Sequence, residues 1–419
     1  MSTNIINGRV WVEGNLEKVV ISIKNGKISK LTTQNNIPEA DNIIDASGNI
    51  VFPGCVDVHS HLRDSEFSYK EDFSSGTKAA IVGGFTTVLD MPNTKPPIIN
   101  VNELNNRQNN AKNKIFCNVG FYCSPINADD VNELRLSNAV GYKIYLHKPF
   151  EGQDLSDENI IKIMKKIKEC ESILAIHAED RQLFDGVKHT VESEIQSIKR
   201  IIDLGKLTRC KIHFVHVSTK EGIEIIIKNK KDLDISCEAT PHHMILNNNN
   251  MDKSYNCEPP IRDKKDQESI FNSVINGDID IMGTDHAPHS VKDKKEGKPG
   301  FSGLEVTVPL MIDLYKKDKI SLQRIYEMLV DNPITRFGLK NIGQIKEGYN
   351  ADLIIIDENK EQIINVENFF SKGKSSPFNG MKVSGTITKT IINGQIVFDG
   401  KNIIQSGIGK ILKKQIDFE

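Results

Sequence analysis

In the middle of this chain, from about Cys55 to Ser290, short apolar runs alternate with longer segments whose apolar residues recur at helical spacing. Eight runs can be marked: Cys55-His59, Thr86-Met91, Ile115-Tyr122, Val140-Leu146, Ile173-His177, Ile212-Val217, Ile235-Ala239 and Ile279-Thr284. Helices are expected between them, over Asp72-Val82, Val101-Lys114, Asp157-Glu171, Lys220-Lys230 and Lys265-Asn276. Strand and helix in regular alternation build a parallel sheet. Eight repeats predict an α/β chain closed into a (β/α)8 TIM-like barrel, whose chemistry sits on the loops at the C-terminal ends of the strands. An open, doubly wound sheet is the alternative, but no glycine-rich phosphate turn follows the first strand. The two ends of the chain have another texture. Val10-Trp11-Val12 and Val19 to Ile23 are punctuated by Asn7-Gly8 and Asn25-Gly26, and Ala351 to Ile356 is followed by Thr386 to Val397 with its Asn393-Gly394 turn. Asn-Gly between apolar runs predicts β-hairpins, because both residues tolerate positive φ.

Composition narrows the class of function. At 419 residues and 38% hydrophobic the chain can bury a large core, and a net charge of -2 with dispersed Lys and Arg offers no footprint for nucleic acid or an anionic membrane. Small molecules are the expected partners. Met1 to Gly8 has neither a basic leader nor an apolar core, and no apolar run reaches membrane-spanning length, so a cytoplasmic protein is expected. Seven cysteines, an odd number without a Cys-x-x-Cys pair, read as reduced core thiols rather than a disulfide framework or zinc knuckle.

The candidate chemistry lies where the predicted strands end. His59 and His61 are two apart, so an extended chain aims both imidazoles at one point, which suits a metal ion. Arg63 follows them; Asn93 stands past the second strand, Lys143 on the fourth, His177 at the end of the fifth, His216 on the sixth, and Asp285 with His289 past the eighth. Taken singly, His177 or His216 reads as a satisfied interior imidazole and Lys143 as a lysine reaching for water. Together on one barrel face they point to a metal centre. A buried lysine beside cations is driven to the free amine, which can add carbon dioxide and become an anionic, two-oxygen bridge. That carbamate would hold two zinc ions, with His59, His61 and Asp285 completing one, His177 and His216 the other, and a hydroxide between them. His147, His189 and His213 read as surface or packing residues, and His242, His243 and His286 as supports behind the ligands.

These residues resemble the amidohydrolase superfamily. The segment Gly343-x-Ile345-x-x-Gly348-x-x-Ala351-Asp352-Leu353 is similar to that superfamily's re-entry into a β module. The resemblance implies a small β-sandwich formed from both chain ends, residues 1–53 and 343–419, around a barrel of residues 54–342. His61-Leu62-Arg63, Met91-Pro92-Asn93-Thr94, Gly141 to Leu146, Cys237 to His243, Asp285-His286-Ala287-Pro288-His289 and Pro299 to Glu305 together look like the dihydroorotase family. What that implies is reversible cyclisation of N-carbamoyl-L-aspartate to L-dihydroorotate in pyrimidine synthesis. Two Zn2+ ions bridged by carboxylated Lys143 would supply a hydroxide, Asp285 would act as general acid and base, and Arg63, Asn93, His289, Pro299 and Gly300 would bind substrate. The resemblance leaves room for a homodimer and for association with aspartate transcarbamoylase.

Three departures stand out. Arg63 is followed by Asp64-Ser65-Glu66 where the family has an acidic residue, proline and glycine; Glu258 precedes Pro259-Pro260 where Asn or Arg is usual; and Lys148-Pro149-Phe150 replaces a loop with a closing threonine. An acidic residue beside an anionic ligand is expected to point away. Two rivals are weighed. A sister amidase for hydantoin, dihydropyrimidine or allantoin would share the metals but needs no partner for a ring carboxylate, and a catalytically dead barrel would lack ligands, whereas all six are here.

Overall fold

The eight apolar runs form one parallel sheet in sequential order, from Cys55–Ser60 to Ile281–Met282. In this computed structural model, which describes residues 2–252, 254–404 and 407–413, the sheet closes where Ser60 bridges His286. The buried Asp57 carboxylate reinforces the closure by accepting from Thr284, at 2.9 Å from its N–H and 2.7 Å from its hydroxyl. The outer helices start where polar side chains satisfy free N–H groups: Asp72 caps Phe73–Val82, Asn100 caps Val101–Ala111, Ser156 caps Asp157–Glu169, Thr219 caps Lys220–Lys230 and Asp263 caps Lys264–Asn276.

Four strands are shorter than the apolar runs that announce them, the fourth, Gly141–Tyr145, by one residue at each end. The third is Asn118–Cys123, the sixth Lys211–Phe214 and the eighth Ile281–Met282. Hydrophobicity continues past a ladder when the flanking residues stay buried after the backbone leaves the regular strand. Val215 and Val217 are buried, and their N–H groups donate to Ile176 O at 3.1 Å and Glu238 O at 2.9 Å, while His216 between them takes φ 36°. Asp285 takes φ 43°, so two of the candidate ligands sit where a strand turns out of the extended region.

At the chain ends, Ile50–Pro53 pairs parallel with Arg9–Val12 and antiparallel with Leu353–Ile363, so both ends share one six-stranded sheet. A four-stranded sheet of N-terminal strands packs over it through Ile5, Ile21, Ile23, Ala351, Leu353 and Ile391. The last described stretch departs from the expected β module. Lys410 O accepts from Val119 N–H at 2.9 Å and Leu412 N–H donates to Val119 O at 2.8 Å, so this stretch lies against the third barrel strand. Residues 405–406 and 414–419 of the segment expected there lie outside the described residues, as does Met1.

One buried ion pair sets the path of the chain after His61. Asp90, at the end of the second strand, receives Arg107 Nε at 3.0 Å and Nη2 at 2.7 Å, and its other oxygen accepts Leu62 N–H at 2.8 Å. Asp90 is fully buried and Arg107 3% exposed. Arg107→Met would strand that carboxylate, so a loss of about 3 kcal/mol in unfolding free energy is expected from chemical denaturation. A change under about 0.5 kcal/mol, the ordinary range of a surface substitution, would contradict this role.

Candidate metal centre and substrate pocket

His59 and His61 lie on one side of the strand end, ring centroids 5.3 Å apart, and each ring's Nδ1 meets an oxygen that can only accept. His59 Nδ1 donates to the fully buried carboxylate of Glu238 on the seventh strand, Ile235–Ala239. Burial pushes Glu238 up, but His59 and His213 outweigh it and hold the carboxyl down to about 2. Gly283 leaves room for this group, since a Cβ there would stand 2.9 Å from the Glu238 carboxylate. His61 Nδ1 lies 2.7 Å from Asn93 Oδ1. With the protons on Nδ1, both rings turn an Nε2 lone pair towards Asp285 Oδ1, at 3.4 and 3.2 Å.

Burial raises the Asp285 carboxyl, but His59, His61 and His242 more than compensate and hold it below the ordinary carboxylate range. Burial lowers His61 to about 4. Two lone pairs and an ionised carboxylate within 4.8 Å of one another, all buried, repel unless a cation sits among them. The donor set therefore fits a metal ion.

Lys143, on the fourth strand Gly141–Tyr145, is fully buried, and its Nζ has no hydrogen-bond partner among the described residues. Burial lowers it to about 7 despite the attraction of Glu238 and Asp285, so a neutral amine is accessible near physiological pH. His177 and His216 face each other with centroids 4.4 Å apart, and His216 lies 5.2 Å from His59. His177 Nε2 is 2.7 Å from Glu179 Oε2, which leaves Nδ1 for an ion; His216 Nδ1 is buried without a partner among the described residues.

Arg63, Asn93, Pro299 and Gly300 line the same pocket as these ligands, with Tyr145, His147, Lys148 and Glu258. Arg63, Asp64 and Ser65 all have positive φ, from 50 to 54°, and this is how the chain turns without the family's proline and glycine. Arg63 is 8% exposed, and its Nε has no partner among the described residues. His289 stands one layer back, with Nδ1 3.4 Å from Lys70 Nζ and 3.8 Å from Asp293.

Several residues differ from their sequence reading. Glu258 does not point away: it lines the pocket with its oxygens 3.7 Å from His147 Nε2 and 3.5 Å from His189 Nε2. His147 thus belongs to the pocket wall, and His189, in contact with Glu258, is raised to about 9 by Glu179 and Glu258 despite burial. Glu238 and Glu179 are partners of the candidate ligands that the sequence does not single out. Glu238's place on an inward-facing position of a strand was the available signal; for Glu179 there was only adjacency to His177. His213 packs in the core and also meets Glu238 at 3.1 Å. His242, His243 and Cys257 have ligand spacing too, but both His243 nitrogens are engaged, by Thr240 and by Pro259 O.

Residues 50–397 match the amidohydrolase family. The chain belongs to that family. Among curated relatives of this amidohydrolase, a dihydroorotase of Pyrococcus furiosus is 34% identical over 98% of this chain and 96% of its own. One of Aquifex aeolicus is 34% identical over 90% and 94%. Among solved structures, L-hydantoinase (dihydropyrimidinase) from Arthrobacter aurescens superposes with a TM-score of 0.93 at 27% identity, covering 98% of this chain and 99% of that one. Within this family the buried His59, His61 and Asp285 group marks a metal cofactor site. No described helix is long and apolar enough to cross a membrane.

Proposed function

We propose that this amidohydrolase is a dihydroorotase, a cytoplasmic enzyme that closes N-carbamoyl-L-aspartate to L-dihydroorotate and reopens the ring. The observation that carries the reading is Arg63: a buried guanidinium with an unspent Nε in the wall of a metal-ligand pocket calls for an anionic ligand group, and the ring carboxylate is that group. The dihydroorotase relatives agree with it along nearly the whole chain. A hydantoin or dihydropyrimidine ring has no carboxylate to pair with Arg63.

Two zinc ions fit the donors. His59, His61 and Asp285 would hold one, His177 and His216 the other, and carboxylated Lys143 both. When bound, the ions would supply Lewis acidity, polarising the ring amide carbonyl and lowering the pKa of water. The protein's own residues do the remainder. Arg63 forks the carboxylate, and Asn93, whose Oδ1 is committed to His61, has its amide N–H2 left for substrate. In hydrolysis Asp285 takes the proton of the attacking water and passes it to the ring nitrogen as the C–N bond breaks. Cyclisation reverses the transfer.

Proton direction gives a pH prediction. Hydrolysis needs Asp285 as the carboxylate, the form its neighbours favour, whereas cyclisation needs it to arrive protonated. The hydrolytic rate should rise towards alkaline pH and the cyclising rate fall, as mirror images in initial rates measured both ways from about pH 6 to 9. Two profiles rising in parallel would assign the proton transfer to another group. The reading as a whole is tested by loading purified protein with zinc, counting metal, and following absorbance on dihydroorotate against hydantoin. Turnover of hydantoin alone would overturn it.

A further inference from the structure

The pocket wall contains one more donor that the reaction above leaves unused. Tyr145 ends the fourth barrel strand two residues after Lys143, so both side chains face the barrel interior. The residue is 8% exposed, it lines the pocket beside Arg63, and its hydroxyl is buried without a hydrogen-bond partner among the described residues. A buried hydroxyl left unpaired is costly, and in a pocket wall it marks a place where a ligand completes the bonding. The ring cannot swing away to find another partner. Phe150 meets it edge-on at 5.9 Å and 82°, and Lys143 Nζ lies 4.9 Å from its centroid. Phe150 belongs to the loop whose sequence departs from the family pattern, and here it pins the phenol. A phenol hydroxyl is a donor as well as an acceptor.

We infer that Tyr145 is a specificity-determining residue whose hydroxyl donates to the ring carboxylate of the substrate, beside the unspent Nε of Arg63. This rests on the dihydroorotase reading. A carboxylate has lone pairs for both donors at once, whereas a lone ring carbonyl in that position would leave the Arg63 charge unpaired.

Tyr145→Phe removes the hydroxyl and keeps the ring, so the packing against Phe150 and Lys143 survives. Losing one hydrogen bond to a charged group should lower kcat/KM on dihydroorotate about 10- to 100-fold, mainly through KM, and weaken calorimetric binding of orotate by a similar factor. Zinc content should stay at the parent's value. Hydrolysis of dihydrouracil, the same ring without the carboxylate, should stay within about twofold, the scatter of a near-neutral substitution. Equal losses on both rings, loss of zinc, or unchanged orotate binding would each overturn the assignment. A parent enzyme that opens dihydrouracil and not dihydroorotate would defeat the dihydroorotase reading itself, before any variant is compared; if the parent opens only dihydroorotate, orotate binding decides.

Discussion

Lys143→Ala is expected to lose bridged metal and catalytic activity together. The lysine Nζ is buried, unpaired among the described residues and shifted to about 7, so it is the group there that can form a carbamate, and both oxygens of Glu238 and one of Glu179 are already committed. Glu238 is held by His59, His213 and the backbone of His216, and Glu179 by His177 and His189. Alanine offers no replacement oxygen. Losing the ions removes several kcal/mol of transition-state stabilisation, on the order of a thousand-fold or more in kcat/KM. Metal analysis beside turnover on dihydroorotate checks both halves. Propionate or another short carboxylate should restore a little of each by standing in for the carbamate. An alanine variant with two zinc ions and near-native turnover would show that the bridge is something other than Lys143.

Arg63→Met should separate charged from uncharged substrates. Its side chain holds an unspent Nε in the pocket, and removing it leaves the substrate carboxylate unpaired where water is scarce. The cost is roughly 2 to 5 kcal/mol, or about 30-fold to several thousand-fold in kcat/KM on dihydroorotate. Zinc content should not change, because Arg63 is no ligand. Arg63→Lys should recover only part, since an ammonium cannot reproduce the planar fork. Equal losses on charged and uncharged rings would mean that Arg63 serves the loop of positive-φ residues 63–65 rather than the substrate.

Much of the barrel was legible because strand and helix have different periods, and because a buried parallel strand needs a continuous apolar run. The end of each run was less legible. Val215 and Val217 look like strand residues and are buried like them, yet the ladder stops at Phe214. Local hydrophobicity reports burial; pairing depends on what lies alongside. The stretch from Lys410 to Leu412 shows the same limit, since nothing in its own residues points to Val119.

What the sequence by itself determined is the set of groups offered to the site: His59 and His61 on one side of a strand end, and Lys143, His177, His216 and Asp285 at or just past the ends of others. These follow from a two-residue period and from counting strands, both of which are local. Tertiary structure alone decided what each group faces. His59 meets Glu238 across 179 residues of chain, which is why its proton lies on Nδ1 and its Nε2 lone pair turns to Asp285. His147 and Glu258 join the pocket wall, His189 meets Glu258, and the Tyr145 hydroxyl ends in the wall without a partner among the described residues. The physical reason is that periodicity fixes the direction of a side chain relative to its own backbone, whereas tautomer, charge and unspent donors depend on which distant strand the closure of the barrel brings within about 3 Å.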